Sequence, residues 1–205
     1  MTASVTRSGR SPTTVAWSTR TPTPVAAYKK KFVVADAGAN ALWLVDRKGN
    51  ISTIGVLPRH PLRISKAAAE SQGAPCLEGK TYSFEAVPTE VGKDGWLYVT
   101  TLPGGPEDPS LGARGRVYRV NPKTGKSRLI ARGFAGATNL ALGKRGEIYV
   151  TELFGGKISV IKHGKVKEYV ALPGALSVET GRKGNLWAGT GITGPNSIVK
   201  ISKKK

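Results

Sequence analysis

The stretch "ATNLALGKRGEIYVTELFGGKISVI" (residues 137–161) decides the reading of the fold. Ile148 and Val150 alternate with Glu147 and Tyr149, and Ile158, Val160 and Ile161 follow a Gly-Gly turn. Period-two alternation around glycine turns is the mark of β-hairpins. The same pattern recurs. "AVPTEVGKDGWLYVTT" (86–101) and "ALSVETGRKGNLWAGT" (175–190) align with 137–152 through the glycine pairs Gly92/Gly95, Gly143/Gly146 and Gly181/Gly184. A third strand follows each: "GRVYRV" (115–120), "KISVI" (157–161) and "SIVKI" (197–201). Two units add an outer strand, "SRLIARGF" (127–134) and "KVKEYVALPG" (165–174).

Residues 24–58 fit the same template with a shorter first turn. The anchors recur about every 40–50 residues, the spacing of β-propeller blades. The fold expected is all-β: a partial, about four-bladed and open β-propeller of the six-bladed type. Its blades are 24–58, 81–134, 137–174 and 175–205, with an inserted loop 59–80. The Gly-x-x-Gly turns supply the positive φ that a tight hairpin needs. Tyr98, Tyr149 and Trp187 are expected to pack between blades. The segment "ISKAAAES" (64–71) in the insertion reads as a short helix.

The chain has 205 residues, and its N-terminal 1–23 is rich in Ser, Thr, Arg and Pro with little to bury. That composition predicts a disordered leader. It has no apolar h-region, so it is not read as a signal peptide. No apolar run approaches the roughly 20 residues of a membrane helix. The single cysteine, Cys76, excludes an internal disulfide.

The formal charge is +19. The basic residues sit mostly in turns such as "DRKGN" (46–50), "KTGKSR" (123–128) and "GRKGN" (181–185). Specific nucleic-acid sites cluster such charges among aromatics. No specific nucleic-acid partner is therefore expected, only sticking to polyanions at low salt.

Five residues are candidate ligand or metal groups. Glu90 and Glu179 hold equivalent places in the glycine-anchored alignment of strand one, with Ala141 at the third and Asn139 one residue pair away on the same face. Asp36 and Glu152 end strand two, level with Thr101 and Thr190. Carboxylates and an Asn converging on a channel suit Ca²⁺ through oxygen ligands. The alternative is that they cap backbone donors or face water, which the lack of an Asp-rich calcium loop favours. His60 and His163 are not spaced as a metal pair, and no glycine turn opens a helix as a phosphate loop does. The loops 59–80 and 102–114 are long enough to build a recognition surface.

"FVVADAGANALWLVDRKGNI" (32–51) resembles the NHL-repeat signature. Followed by "FEAVPTEVGKDGWLYVTTLPGGP" (84–106), "GRVYRVNP" (115–122) and "FAGATNLALGKRGEIYVTEL" (134–153), it resembles the ScyD/ScyE family of actinobacterial and cyanobacterial propellers. The likeness covers about residues 24–203. It implies the C-terminal blades of a six-bladed, secreted protein, and a non-enzymatic binding or scaffold role toward an unknown small-molecule or protein ligand. Related lactonase-like propellers use a carboxylate and Asn set, so a lactonase- or lyase-like enzyme with a channel-bound divalent metal is the alternative. A lyase of that kind needs a histidine near acids, and His163 in an outer turn is badly placed for it. A gene fragment without function is the third reading. Six-fold blades subtend about 60° each, so four leave an arc open and expose blade edges to self-association. Lys203–Lys205 would discourage edge pairing.

Overall fold

The computed structural model describes residues 24–105, 109–191 and 196–202. The leader 1–23 and the lysines 203–205 lie outside them, as do residues 106–108 and 192–195.

Four antiparallel meanders run along the chain. The first holds β1 (Val25–Tyr28), β2 (Lys31–Asp36), β3 (Ala41–Val45) and β4 (Ile51–Val56), in that order. An excursion follows, made of the ribbon β5 (His60–Arg63) and β6 (Thr81–Phe84) with α1 (Lys66–Ser71) between them. Ser65 caps α1, accepting the Ala68 N–H. The helix is where "ISKAAAES" places it; the two-stranded ribbon flanking it is not legible in the sequence.

The second meander is β7 (Pro88–Asp94), β8 (Trp96–Thr101), β9 (Gly115–Val120) and β10 (Ser127–Phe134). The third is β11 (Ala137–Leu142), β12 (Ile148–Glu152), β13 (Lys157–Lys162) and β14 (Lys165–Ala171). The fourth is β15 (Ala175–Thr180), β16 (Leu186–Thr190) and β17 (Ser197–Ile201). These are the blades of a partial β-propeller. The inner strands stack in sequence, β1 on β7, β7 on β11 and β11 on β15. Among the described residues the two terminal inner strands, β1 and β15, form no such stack, as in an open array.

Three apolar layers hold the stack, and alternation along each strand decides which layer a residue joins. Val33, Ala35 and Leu42 of the first blade meet Val91, Leu97 and Val99 of the second. Val117 and Phe134 of the second meet Leu140, Ile148 and Val150 of the third. Tyr149 and Ile158 of the third meet Val178, Leu186 and Ala188 of the fourth. Strand β12 is buried at every residue because its blade has a neighbour on each side.

Tyr98 and Tyr149 lie in inter-blade layers. Trp187 does not, which corrects the expectation. It is 42% exposed, with the Lys200 ammonium 5.6 Å from its ring centre. Its face of the fourth blade points away from the third, and no described blade covers it. At the other end, Val25 and Phe32 stand exposed on the outward face of the first blade.

The turn glycines divide by role. Gly95, Gly146 and Gly184 are left-handed, at φ 67°, 79° and 79°. Their partners Gly92, Gly143 and Gly181 are not, so positive φ is needed only at the second glycine of each pair.

Candidate binding site on the inner strands

The glycine alignment places Glu90 level with Glu179, and the strand register does not. Glu90 pairs with Thr100 as Asn139 pairs with Thr151 and Ser177 with Gly189. Gly92, Ala141 and Glu179 form the next equivalent set, opposite Tyr98, Tyr149 and Trp187. The second blade has slid by two residues. The cause is its turn: Asp94 pairs with Trp96 around Gly95 alone. In the third and fourth blades, Gly143 N–H donates to Glu147 O and Gly181 N–H to Asn185 O, closing wider turns. A slide of two preserves the alternation, so the apolar pattern does not reveal it.

The slide sets Glu90 beside Asn139 on the neighbouring inner strand. Asn139 Nδ2 donates to Glu90 Oε2. Asn139 Oδ1 accepts the Val178 N–H of the next blade at 2.9 Å. One amide thus ties three inner strands together. Glu90 Oε1 accepts the Val91 N–H at 2.7 Å. Threonines complete the seam: Thr89 Oγ1 donates to Ala137 O at 2.8 Å and Thr138 Oγ1 to Leu176 O at 2.9 Å.

Burial pushes the Glu90 carboxyl up to about 7; the Val91 N–H pulls it down and the nearby charge of Glu179 adds to the rise. Glu179 itself is solvent-exposed. Glu90, Asn139 and Glu179 therefore share one locality; the two carboxylates offer oxygen, while Asn139 presents Nδ2 to Glu90 and its Oδ1 already accepts the Val178 N–H. Hard oxygen donors of this kind suit Ca²⁺, with water filling the remaining positions. The two carboxylates are donors of that kind. Among the described residues no three His, Cys, Asp or Glu side chains cluster at metal-binding range.

The other two candidates have local partners. Asp36 Oδ1 accepts the Gly38 and Ala39 N–H groups, and Oδ2 accepts Trp43 Nε1–H at 3.0 Å. These bonds, the Trp43 one foremost, hold its pKa below the usual carboxylate value. Glu152 is 3% exposed; its Oε2 accepts the Ala135 N–H at 2.7 Å and its Oε1 accepts the Ser159 hydroxyl. Neither is hydrogen-bonded to Glu90, Asn139 or Glu179. His163 is left-handed (φ 49°) in the β13–β14 turn, away from these acids along its strand.

His60, which the sequence shows only as a histidine without a metal-spaced partner, is a buried residue of the fold. It is 2% exposed where β5 meets the second blade, its Nε2 3.5 Å from Thr101 Oγ1 and 3.4 Å from Tyr118 Oη. Burial, with Arg116 and Arg114 adding, lowers its pKa to about 4. Between the ordinary histidine value and 4, the unfolded chain takes a proton that the native chain refuses. Stability is therefore expected to fall as pH drops from about 6.5 to about 4, by up to about 3 kcal/mol from this residue. Urea unfolding of the protein and of His60→Gln across that range checks it, because the variant should lack this part of the loss.

No protein-family model matches the sequence, and no curated protein matches it. Solved structures do match, and they are β-propeller-type proteins. A luciferin-regenerating enzyme matches at TM-score 0.59 and 15% identity over 88% of this chain and 57% of its own. The PQQ-bound aldose sugar dehydrogenase of Streptomyces coelicolor matches at 0.56 and 15%, over 87% and 59%. A calcium-binding protein, regucalcin, of Agrobacterium tumefaciens matches at 0.54 and 13%, over 81% and 52%. The chain thus spans little more than half the length of each. At these identities the likeness is one of fold.

Proposed function

We propose that this chain is a ligand-binding propeller whose inner-strand site, Glu90, Asn139 and Glu179, takes Ca²⁺. One observation carries the reading. The Asn139 amide bridges the buried Glu90 carboxyl and the fourth blade, beside a second acid, Glu179. Burying a carboxylate without a cation is costly, and a bound Ca²⁺ offsets that cost. The resemblance of 24–203 to ScyD/ScyE supports a binding rather than a catalytic role. Asp36 and Glu152 serve in this reading to fix the turns at the strand ends.

The test is linkage. A cation that binds only the folded chain at a hundredfold excess over its Kd adds about 2.7 kcal/mol. For a chain of this size that is a rise of roughly 5–10 °C in Tm. Millimolar Ca²⁺ is expected to produce such a rise in the wild type, and Glu90→Gln with Glu179→Gln should abolish it. No rise in the wild type would overturn the reading.

A second reading has one observation in its favour. A carboxyl with a pKa of about 7 is suited to general acid–base work. A lactonase- or lyase-like activity would use Glu90 in that role. Hydrolysis of simple lactones, lost in Glu90→Gln, separates it from binding alone.

A further inference from the structure

A second polar locality lies at the junction of β5, β9 and β10. A cavity of about 350 Å³ is lined by His60, Arg114, Arg116 and Arg132, with Pro61, Leu62, Ala113 and Gly133 completing it. No acid is among its lining residues. Arg116 and Arg132 sit directly opposite each other on β9 and β10. Like charges in that relation destabilise a sheet. None of the three arginines joins an ion pair among the described residues.

Two of the arginines are held by named contacts, and Arg132 is exposed. Arg114 lies over the Phe84 ring at 4.5 Å and donates to Gly104 O at 3.1 Å. Arg116 donates to Tyr118 Oη at 3.2 Å. His60 is buried, and its Nδ1 has no hydrogen-bond partner among the described residues. An unpaired buried donor costs about 1–3 kcal/mol. The guanidiniums of Arg114 and Arg116 act on His60, and Arg132 stands opposite Arg116; together they call for a negative group with several acceptor oxygens.

We propose that this cavity binds an oxyanion, the carboxylate or phosphate group of a small ligand, on Arg114, Arg116 and Arg132 with His60 Nδ1–H as a further donor. Guanidinium forks match both groups in geometry. In this tautomer His60 Nε2 faces the Thr101 and Tyr118 hydroxyls as acceptor, and the neutral ring donates without bringing a fourth positive charge. The site is separate from Glu90, Asn139 and Glu179 and does not rest on the reading of that site.

The experiment titrates inorganic phosphate, and separately acetate, into the full chain at constant ionic strength set with sodium chloride. Binding is followed by calorimetry and by the imidazole ¹⁵N resonances of His60. A saturable heat with a matching shift at His60 Nδ1 is expected for at least one of the two anions, and which one saturates names the group. Arg116→Gln with Arg132→Gln should weaken it tenfold or more. Arg132→Gln alone, an exposed side chain, should weaken it measurably even if the pair fails to fold. Lys144→Gln with Lys183→Gln, basic residues on the third and fourth blades, should not. Heats no larger than those of chloride, a His60 resonance that does not move, or equal weakening by the lysine variants would each overturn the proposal.

Discussion

Gly125→Ala is expected to destabilise the protein by roughly 3 kcal/mol or more, beyond what its backbone angle explains. Gly125 is left-handed (φ 68°) in the β9–β10 turn. A Cβ there would stand 2.0 Å from the Ile54 carbonyl oxygen of β4 and 3.3 Å from Gly55 Cα. Those atoms belong to the backbone of the neighbouring blade, so no rotamer change relieves the contact. Two blades must separate, and the Val33–Val99 layer opens with them. Gly49→Ala is the control: it too is left-handed (φ 85°), and nothing lies within 4 Å of its added Cβ. It should cost only about 1 kcal/mol. Equal losses in the two variants, measured by urea unfolding, would refute the close approach of the blades.

Phe134→Ala is expected to cost about 3–5 kcal/mol. Phe134 is fully buried between the second and third blades. Gly115 is held against it so closely that a Cβ would fall 3.0 Å from the Phe134 Cβ and 2.7 Å from its carbonyl oxygen. The surroundings are strands from two sheets, each fixed by its own ladder, and they collapse little into the void. The loss should appear as a lower urea midpoint with slope unchanged. Val166→Ala, at an outer-strand residue 42% exposed, should cost well under 1 kcal/mol by comparison.

The blade repeat was legible because it is written in local physics. Alternation, a glycine turn and a second alternating run give β11–β12 from residues 137–152 alone. The stacking order follows from chain order, and the complete burial of β12 follows from a blade with neighbours on both sides. Trp187 shows where that logic stops. Its sequence context matches Tyr149, but packing depends on whether another blade stands beyond it, which no local pattern records.

The candidate site was legible in its residue types and misread in its register. Glycines are the natural anchors of an alignment, yet Gly92 lies within β7 while Gly143 and Gly181 begin turns. Side-chain identity therefore pointed to Glu90, Asn139 and Glu179, while the pairing of Glu90 with Asn139 needed the cross-strand contacts. His60 and its arginines were not legible at all. They are brought together by β5 and β9, over fifty residues apart in sequence, and a lone His beside Pro61 carries no signal of burial.

Calorimetric titration of Ca²⁺ into the full chain at neutral pH measures the proposed inner-strand site most directly. A saturable isotherm near one ion per chain is expected, absent in Glu90→Gln/Glu179→Gln and weakened in Asn139→Ala, with folded Glu152→Gln retaining binding. A featureless isotherm in the folded wild type, or one that the Glu90 and Glu179 substitutions leave unchanged, would contradict it.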